Sequence, residues 1–444
     1  MVKLKSISFF TLAMFLFLGT HFVEAQVRVL TWTDSTKHTV KEEYYIRSIR
    51  DSTREGLYHR YYPNGKTEAL AYFKNGKNDS LYTEYYEDGK IKLNVPFKDN
   101  KRNGDLIIYD PDGKITQKGT YVNDSLIGPF ATYYPDGNLK TACTFRKFQI
   151  EGILKNYYVD GKLKSEANYK ANKPDGLTKT YYPSGILKTE ENYKAGILHG
   201  FFRTYHTNGK LDTESENKEG SKNGTYKTYN ANGALLIEGN LVDGIPHGKT
   251  KSYYETGANK NIFSYTYGKK EGKCLMFFEN GKLREKAFYK KSETEAQIKT
   301  YYPNGKVKQK YTLLNGSKED ECISYFESGN KATVENYKQN KLVGERLIYD
   351  EQKNLIGKEN YNVAGKKNGM NYEYYSSNGK IKVSTTYKAN LKHGAYKTYL
   401  ENGIKVSEGE YYNNLQHGKW NYYNPDGTLL KTSLYKMGVL QDSL

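Results

Sequence analysis

The sequence YYPSGILK, residues 181–188, is one copy of a motif that recurs along the chain. Its turn glycine, the anchor of the motif, returns every 24 residues, apart from one step of 26 residues after Lys353, where the glycine is lost. So regular a period defines sixteen units and indicates a repeat architecture. The anchor positions are Gly65, Gly89, Gly113, Gly137, Gly161, Gly185, Gly209, Gly233, Gly257, Gly281, Gly305, Gly329, Lys353, Gly379, Gly403 and Gly427.

Each unit is predicted to be a β-hairpin. The turn often reads Pro-Asn-Gly or Pro-Asp-Gly, as at residues 63–65 and 135–137. Proline sets φ to about −65° at the second turn position, and glycine accepts a positive φ where the turn ends. This combination is typical of a type I turn closed by a glycine bulge, a common hairpin connection.

The strand after the turn alternates in character. Counting from the anchor, the second residue is usually Leu, Ile or Val, as in Leu139 and Leu187, and the eighth is usually aromatic. The fourth and sixth residues are mostly small, while the first, third and fifth favour Lys and Glu, as in Lys164. A period of two with one apolar face predicts a half-buried antiparallel strand. The chain is therefore predicted to be all-β.

The strand before the turn is less regular. A second glycine lies nine residues ahead of the anchor in twelve units, and an apolar residue follows two positions later, as in Tyr58 and Trp420. Many units also carry a doubled tyrosine, such as Tyr181-Tyr182. Neighbouring residues of a flat strand point to opposite faces, so either one tyrosine lies on the outer face or a bulge re-aims it. The sequence leaves both alternatives open.

The spacing of the glycines and of the Tyr-Tyr-x-x-Gly motif resembles the MORN-repeat superfamily, specifically its bacterial variant repeat. The resemblance covers roughly residues 50 to 436. It implies an elongated, twisted antiparallel sheet, or solenoid, of about sixteen stacked 24-residue β-hairpins, with binding or scaffolding roles and no intrinsic catalysis. Some bacterial relatives are antitoxin-like components, and eukaryotic members are associated with membrane phospholipids and protein assembly.

The chain is divided as follows. Residues 1–25 are predicted to be a signal peptide, because Lys3 and Lys5 precede an apolar stretch and Ala25 ends a small-residue cleavage site. An uncleaved anchor is the alternative, but the stretch is short for a membrane span. The protein is thus expected to be exported from the cytoplasm of a bacterium, to the periplasm, the outer membrane surface or the medium. Residues 26–50 are predicted to be a capping segment, residues 51–436 the repeat array and residues 437–444 a tail.

The formal net charge is +18, and its arrangement favours an anionic partner. In-register stacking would align into ladders the lysines that follow the strand-end aromatic. Such ladders could bind phospholipid headgroups, acidic glycan or an acidic protein. The alternative is that these lysines are solvated and keep the sheet edges soluble. Nucleic acid is not favoured, because no nucleic-acid motif occurs. The lysines include Lys74, Lys98, Lys170, Lys194, Lys290 and Lys338.

The cysteines and histidines do not predict a disulfide or a metal site. Cys274 and Cys322 occupy the same inward position two repeats apart, about 19 Å, and Cys143 lies in a distant unit, so all three are predicted to be small core residues. Four histidines precede the second glycine of their units and are interpreted as turn residues, since one repeat, roughly 9.6 Å, is too wide for two ligands of one zinc. They are His199, His247, His393 and His417.

No catalytic motif is present in the sequence. The loop 244–250 resembles a phosphate-binding loop but has three residues between its glycines where the motif needs four. Carboxylates recur repeat by repeat, as in Glu166, Glu190, Glu214 and Glu238. A residue found in successive repeats is better explained by a scaffold with a solvated face than by a single active site. No catalytic, cofactor-binding or metal residue is therefore predicted. The irregular segments 292–300 and 350–379 are the places where a specific site could lie, and repeat drift is the alternative.

These observations favour a non-catalytic, exported repeat scaffold that binds a protein, glycan or lipid partner through its extended surface. The family resemblance adds a second hypothesis, an antitoxin-like or immunity protein that neutralises a partner protein. A glycan-active enzyme with a shallow groove is the third. A partner protein is expected, an anionic glycan or phospholipid surface is possible, and no cofactor is expected.

Overall fold

The computed structural model describes residues 26–33, 35–36 and 38–443, so the predicted signal peptide lies outside the described residues. No helix occurs in the described part of the chain, and it accordingly offers no helical segment able to cross a membrane. The all-β class is confirmed. The chain forms two compact units, one ending at Ser221 and the other starting at Lys222.

In both units, strands that pair do so in antiparallel fashion. The first unit contains β1 Val27–Trp32, β2 Val40–Ile46, β3 Arg54–Tyr61, β4 Thr67–Lys74, β5 Lys77–Asn78, β6 Leu81–Tyr85, β7 Ile91–Lys98, β8 Lys101–Arg102, β9 Gly104–Tyr109, β10 Ile115–Val122, β11 Ser125–Tyr133, β12 Leu139–Arg146, β13 Gln149–Ile150, β14 Gly152–Tyr157, β15 Leu163–Lys170, β16 Lys173–Tyr181, β17 Leu187–Lys194, β18 Ile197–Tyr205 and β19 Leu211–Lys218. From the boundary onward follow β20 Ser221–Tyr229, β21 Leu235–Val242, β22 Ile245–Pro246, β23 Gly248–Tyr253, β24 Asn259–Thr266, β25 Lys269–Lys270, β26 Gly272–Phe277, β27 Leu283–Lys290, β28 Glu295–Tyr301, β29 Val307–Leu314, β30 Ser317–Tyr325, β31 Lys331–Lys338, β32 Lys341–Leu342, β33 Gly344–Tyr349, β34 Leu355–Tyr361, β35 Gly369–Tyr374, β36 Ile381–Lys388, β37 Leu391–Tyr399, β38 Lys405–Tyr412, β39 Leu415–Tyr423, β40 Leu429–Lys436 and β41 Val439–Ser443.

The anchor turn has the predicted geometry. Between β16 and β17, the amide of Gly185 donates to the carbonyl of Tyr182 at 2.8 Å, and the amide of Tyr182 donates to the carbonyl of Ile186 at 2.8 Å. Gly185 has a φ of 89°, which an L-residue rarely adopts. These bonds and this φ define a type I turn with a glycine bulge.

A second, tighter turn joins most hairpins to the next. After β17 it consists of Ala195 and Gly196, with φ values of 51° and 87°. Two successive positive φ angles are characteristic of a type I′ turn, whose twist matches that of the flanking strands. The amide of Gly196 also donates to the carbonyl of Pro174 at 2.8 Å, so neighbouring turns are hydrogen-bonded to each other.

The core lies on one face of the sheet, called the inner face; the opposite face is called the outer face. The most buried column combines the sixth position after each anchor with the seventh before it, as in Ile298 and Trp420, which are 4% and 2% exposed. Leu139 and Leu187, predicted to be core residues at the second position, are only half-buried because they lie next to the turn. Other buried members of the column are Tyr58, Ala71, Val95, Leu106, Cys143, Ala167, Cys274, Ala287 and Cys322.

The 26-residue step adds one residue to each of two turns. At the first, Tyr361 pairs with Lys367, six residues on, whereas Tyr169 pairs with Pro174, five residues on. At the second, the amide of Gly379 reaches back four residues, to the carbonyl of Tyr375. The turn at Lys353 keeps its shape without glycine, because the lysine itself adopts a φ of 73°. The hairpin pattern therefore continues through the irregular segment 350–379.

The two ends of the array carry additional strands. The predicted capping segment, residues 26–50, supplies β1 and β2, which pair with each other, and β2 also pairs with β3. In the predicted tail, β41 pairs with β40. Among the described residues, β1 pairs only with β2 and β41 only with β40.

Candidate functional site

The doubled tyrosines connect neighbouring repeats. Of the two alternatives left open by the sequence, the first holds, because one tyrosine of the pair lies on the outer face. The hydroxyl of Tyr181 lies on the outer face and donates to Glu166 of the preceding repeat at 3.1 Å. The hydroxyl of Tyr182, at the turn, donates to the carbonyl of Tyr205 in the following repeat at 2.9 Å. Seven further tyrosines make the second type of bond, at 2.7–2.8 Å: Tyr62, Tyr86, Tyr134, Tyr158, Tyr254, Tyr302 and Tyr375.

The lysine three residues after the anchor lies over the ring of this second tyrosine. The Nζ atom of Lys164 is 5.7 Å from the ring centroid of Tyr158, a distance typical of a cation–π contact. The sequence identified Lys164 only as a charged residue of the strand after the turn, so this contact adds to the sequence interpretation. The same contact is made by Lys140, Lys188, Lys260, Lys308 and Lys382.

Along the outer face of the first unit, charges of opposite sign face each other across neighbouring strands. We call this set the paired column; it consists of Lys155, Glu166, Lys179, Glu190, Arg203 and Glu214. Glu190 lies 3.5 Å from the Nζ of Lys179 and 3.9 Å from Nη1 of Arg203. Of the recurrent glutamates expected on a solvated face, Glu190 and Glu214 are thus half-buried partners in cross-strand ion pairs.

Tyrosine hydroxyls complete the paired column. The hydroxyl of Tyr205 donates to Oε2 of Glu190 at 2.7 Å, and the side chain of Glu190 is only 16% exposed. Burial and this hydrogen bond to a carboxylate raise the pKa of Tyr205 to about 12. The hydroxyl therefore keeps its proton, and these interactions bind successive hairpins to each other.

In the second unit, one set of neighbouring strands places like charges opposite each other at these positions. Lys286, Lys299 and Lys310 lie opposite one another on β27, β28 and β29, at the positions where the paired column alternates in sign; we call them the lysine row. Aliphatic residues flank the row, with Leu275 opposite Lys286 and Ile323 opposite Lys310. Within the described residues no carboxylate forms an ion pair with the row, and Lys310 lies 5.3 Å from the ring centroid of Tyr325.

The irregular segment 292–300 creates this surface. Elsewhere the strand before the anchor contains a bulge, as where Tyr169 pairs with Pro174 but Ala167 pairs with Thr178. In β28 the bulge glycine is replaced by Ala296, and the pairing of β27 with β28 runs without a register shift. The two residues released from the bulge enlarge the adjacent turn, because Lys290 pairs directly with Glu295.

The straightened strand leaves an open groove beside the lysine row. A depression of about 420 Å³ is lined by the three lysines together with Phe288, Gln297, Thr312, Glu321 and other residues. Phe288 is opposite Gln297, and Gln297 is opposite Thr312, so they form a second row next to the lysines. The ring of Phe288 is 44% exposed, which gives the groove an apolar wall.

A second charged group lies on the inner face, next to the irregular segment 350–379. Arg346 is 2.9 Å from Glu335 and 3.2 Å from Glu359, and Lys367 is 2.6 Å from Glu359. Burial favours the protonated form of Glu359, but hydrogen bonds from Lys367 and Tyr361 outweigh it and lower the pKa of this carboxyl. All these charges are paired, so the cluster serves to hold the strands together.

The lysines that follow the strand-end aromatic are exposed at the edge formed by the two-residue turns. In the first unit six cations share this position, and they are called the turn-edge cations. No ion pair joins them to a carboxylate in the described part of the chain. They are Lys74, Lys98, Arg146, Lys170, Lys194 and Lys218.

The predicted cysteine and histidine positions agree with structural roles. Cys143, Cys274 and Cys322 are free and buried, and burial raises the pKa of each thiol. The ring of His247 packs 4.9 Å from that of Tyr267, and His393 Nδ1 is 3.2 Å from Asn413 Oδ1 in the neighbouring turn. Among the described residues, no group of three or more His, Cys, Asp or Glu side chains is placed to hold a metal ion.

The repeat geometry identifies the class of protein. A family model described as "MORN repeat variant" matches ten stretches of the chain, and the chain belongs to this family of repeat proteins, as its glycine and tyrosine spacing predicted. The matched stretches are residues 54–75, 79–99, 102–123, 150–171, 174–195, 222–243, 270–291, 295–315, 370–389 and 416–437. No curated protein sequence is significantly similar to the chain.

Several solved structures resemble the chain at low identity. They include the crystal structure of TcdB2-TccC3 (10% identity, 91% of this chain and 26% of that chain, TM-score 0.15) and that of TcdB2-TccC3-Cdc42 (11%, 93% and 30%, 0.14). A Photorhabdus luminescens Tc holotoxin pore is a third (11%, 92% and 23%, 0.14). The chain thus spans less than a third of the length of each. A TM-score so low does not describe a shared overall fold, and nothing about this chain's partner follows from it.

Proposed function

We propose that the protein is a non-catalytic, exported repeat scaffold that binds an anionic partner, in the first place an acidic protein, through the turn-edge cations of its first unit. The observation that carries this proposal is the recurrence of six exposed cations at one position of the repeat. The antitoxin-like role stays a prediction of the family resemblance.

Nearby carboxylates are engaged elsewhere, which supports the proposal. Glu151 accepts the amide of Ala171 at 3.2 Å, and Asp175 accepts that of Ala195 at 3.5 Å. Asp124 pairs with Arg102 at 3.1 Å. The acidic groups of this edge therefore stabilise turns or neutralise other cations, and the turn-edge cations keep their charge for a partner.

The spacing of the turn-edge cations suits a multivalent contact. Equivalent positions of consecutive repeats lie about 9.6 Å apart, because each repeat contributes two strands. One exposed lysine contributes little, but several that act together on one polyanion raise the overall affinity strongly. Such binding weakens as salt rises, since exposed charges are screened over about 8 Å at physiological ionic strength.

The test is affinity capture from the source cells with the chain from Gln26 onward. In the test variant all six turn-edge cations are replaced by Gln. The control replaces six lysines near the opposite turns of the same unit, which removes the same charge: Lys90, Lys114, Lys140, Lys162, Lys164 and Lys188. We expect salt-sensitive capture of an acidic protein by the wild type and by the control, and loss of capture by the test variant.

Three results would contradict the proposal. Equal capture by both variants would show that the turn-edge cations are not the binding surface. Binding to acidic glycan or to anionic vesicles, without any protein partner, would show that the partner is a glycan or a membrane surface and not an acidic protein. Reproducible turnover of a glycan by the pure protein would show that the scaffold is an enzyme. Export is tested separately, by locating the chain after cell fractionation with and without residues 1–25.

A further inference from the structure

The lysine row carries charge that the fold does not need. Like charges directly opposite each other on neighbouring strands destabilise a sheet, and the paired column avoids this at the same repeat positions. The three lysines are paired across three neighbouring strands, and the outer two backbones lie about 9.6 Å apart. The row is therefore an electrostatic cost to the folded chain, and a bound anion would remove it.

The geometry points to a binding site for a phosphate or sulfate monoester, with its oxyanion over the lysine row and its ring or apolar part against Phe288. The site goes beyond the partner proposed above, because it lies in the second unit and uses other residues. The ligand is a small molecule or the end group of a larger one.

The net charge of the groove determines which kind of anion it can bind. Three lysines face one carboxylate, that of Glu321, which leaves a formal excess of two positive charges along this depression. Ammonium groups make strong, charge-assisted hydrogen bonds with phosphate and sulfate oxygens. A doubly charged oxyanion matches the excess of charge and can contact more than one lysine at once.

The groove also limits the size of the ligand and determines which group can be attached to the oxyanion. Its volume, about 420 Å³, falls within the range of sites for small molecules. Phe288 presents an exposed ring next to the lysines, and Gln297 and Thr312 add amide and hydroxyl groups that can hydrogen-bond a ligand. A ring attached to the oxyanion would lie against Phe288.

The neighbouring surface confines the anion to the lysine row. A second depression of about 260 Å³ continues from the first, and its charged residues are Lys290, Glu295, Glu319 and Asp320. Glu295 is paired with Lys291 at 2.5 Å, and Glu319 accepts the amide of Gln339 at 2.8 Å. The lining of this end has three carboxylates and one lysine, so an anion is favoured less here than over the lysine row.

The experiment is a titration of the chain from Gln26 onward with phenyl phosphate, followed by NMR line broadening of the phosphorus signal for phosphate ligands and of the phenyl proton signals for a ligand without phosphorus. Inorganic phosphate and neutral phenyl β-glucoside are the comparison ligands. We expect phenyl phosphate to bind roughly three- to tenfold more tightly than inorganic phosphate, because ring stacking adds to the ionic contact, and the glucoside not to bind. Phe288→Ala should remove the difference between the two phosphates.

The matched variants are Lys299→Gln and Lys179→Gln, which occupy the same position of the repeat. Lys299 is the centre of the lysine row, whereas Lys179 is paired with Glu190. We expect Lys299→Gln to weaken phenyl phosphate binding about tenfold, the value of one charge-assisted hydrogen bond. Lys179→Gln should leave it unchanged, and Lys299→Glu should abolish it.

Two outcomes would overturn the site. One is equal weakening by Lys179→Gln and Lys299→Gln, which would indicate a general charge effect. The other is binding to vesicles that contain an anionic phospholipid, with no binding of phenyl phosphate, which would indicate a membrane surface. Loss of the turn-edge cations should not change the titration, so failure of this site and failure of the proposed scaffold function are distinguishable.

Discussion

The paired column and the lysine row occupy the same positions of the same repeat, yet their charges are arranged in opposite ways. Glu190 in the first unit contacts Lys179, Arg203 and Tyr205. In the second unit the three corresponding positions on β27, β28 and β29 hold lysines. The backbone imposes the alignment, and the side chains decide whether that alignment joins hairpins or leaves charge for a ligand. Like charges at positions that hold opposite charges in the first unit are therefore the feature that indicates a site.

The largest expected effect tests whether the inner face is the core beneath both regions. Ile298, 4% exposed and on the strand that carries Lys299, should not tolerate charge. Ile298→Asp is expected to destabilise by about 3–4 kcal/mol, because it buries an unpaired carboxylate. The equivalent change in the first unit, Thr178→Asp, is expected to cost about 1–2 kcal/mol, since Thr178 is half-buried. Urea unfolding measures both, and equal costs would show that the two regions do not differ in burial.

The next effect removes one member of the paired column. Glu190→Ala is expected to destabilise by about 1–2 kcal/mol, because it leaves Lys179, Arg203 and the hydroxyl of Tyr205 without their shared acceptor. The control is Glu190→Gln, which keeps an acceptor for Tyr205 and should cost less. Unfolding curves that coincide with the wild type for both variants would mean that the column adds nothing to stability.

A third prediction concerns acid. Hydrogen bonds from Tyr423 and Lys405 lower the pKa of Glu408 to about 2, from an ordinary value of 4.5. Because the folded-state pKa is the lower one, the stability that this carboxylate contributes is present above pH 4.5 and is lost as pH falls towards 2. Thermal unfolding of wild type and Glu408→Gln across this interval should show a steeper acid decline in the wild type. Parallel curves would contradict the hydrogen-bonded geometry.

The smallest effect has the opposite sign. Lys299→Glu converts the lysine row to the alternation of the paired column and is expected to stabilise the protein without ligand by about 0.5–1 kcal/mol. Lys179→Glu, in the first unit, should destabilise by a similar amount, because it places three carboxylates side by side. If both variants shift stability in the same direction, the two regions are electrostatically alike.

The hairpins and the anchor turn could be predicted because they depend on residues close in sequence. Pro-Asn-Gly and Pro-Asp-Gly have few conformations available, and a period of two identifies a strand without knowledge of its neighbours. The position of the buried cysteines followed from the same counting. The two-residue turn was not predicted, because residues such as Ala195 are not typical of a positive φ, which the paired strands impose.

The site itself could be predicted only in part. The sequence identifies 292–300 as irregular, since the bulge glycine is missing, but it does not show that the strand becomes straight. Lys286, Lys299 and Lys310 are thirteen and eleven residues apart and become neighbours only through the register of β27, β28 and β29. Comparing the fifth position after each anchor with the sixth before the next would have revealed Lys opposite Lys. That comparison needs the register first.

Whether the lysine row is kept unpaired for an anion can be measured as the midpoint of thermal unfolding, with and without phenyl phosphate, for the wild type and Lys299→Glu. We expect the wild type to have the lower midpoint without ligand and to gain stability as ligand is added, by mass action on the folded state. Lys299→Glu should start higher and show no gain. A wild type that is insensitive to the ligand, or a variant that gains equally, would contradict the claim that the lysine row is kept unpaired for an anion.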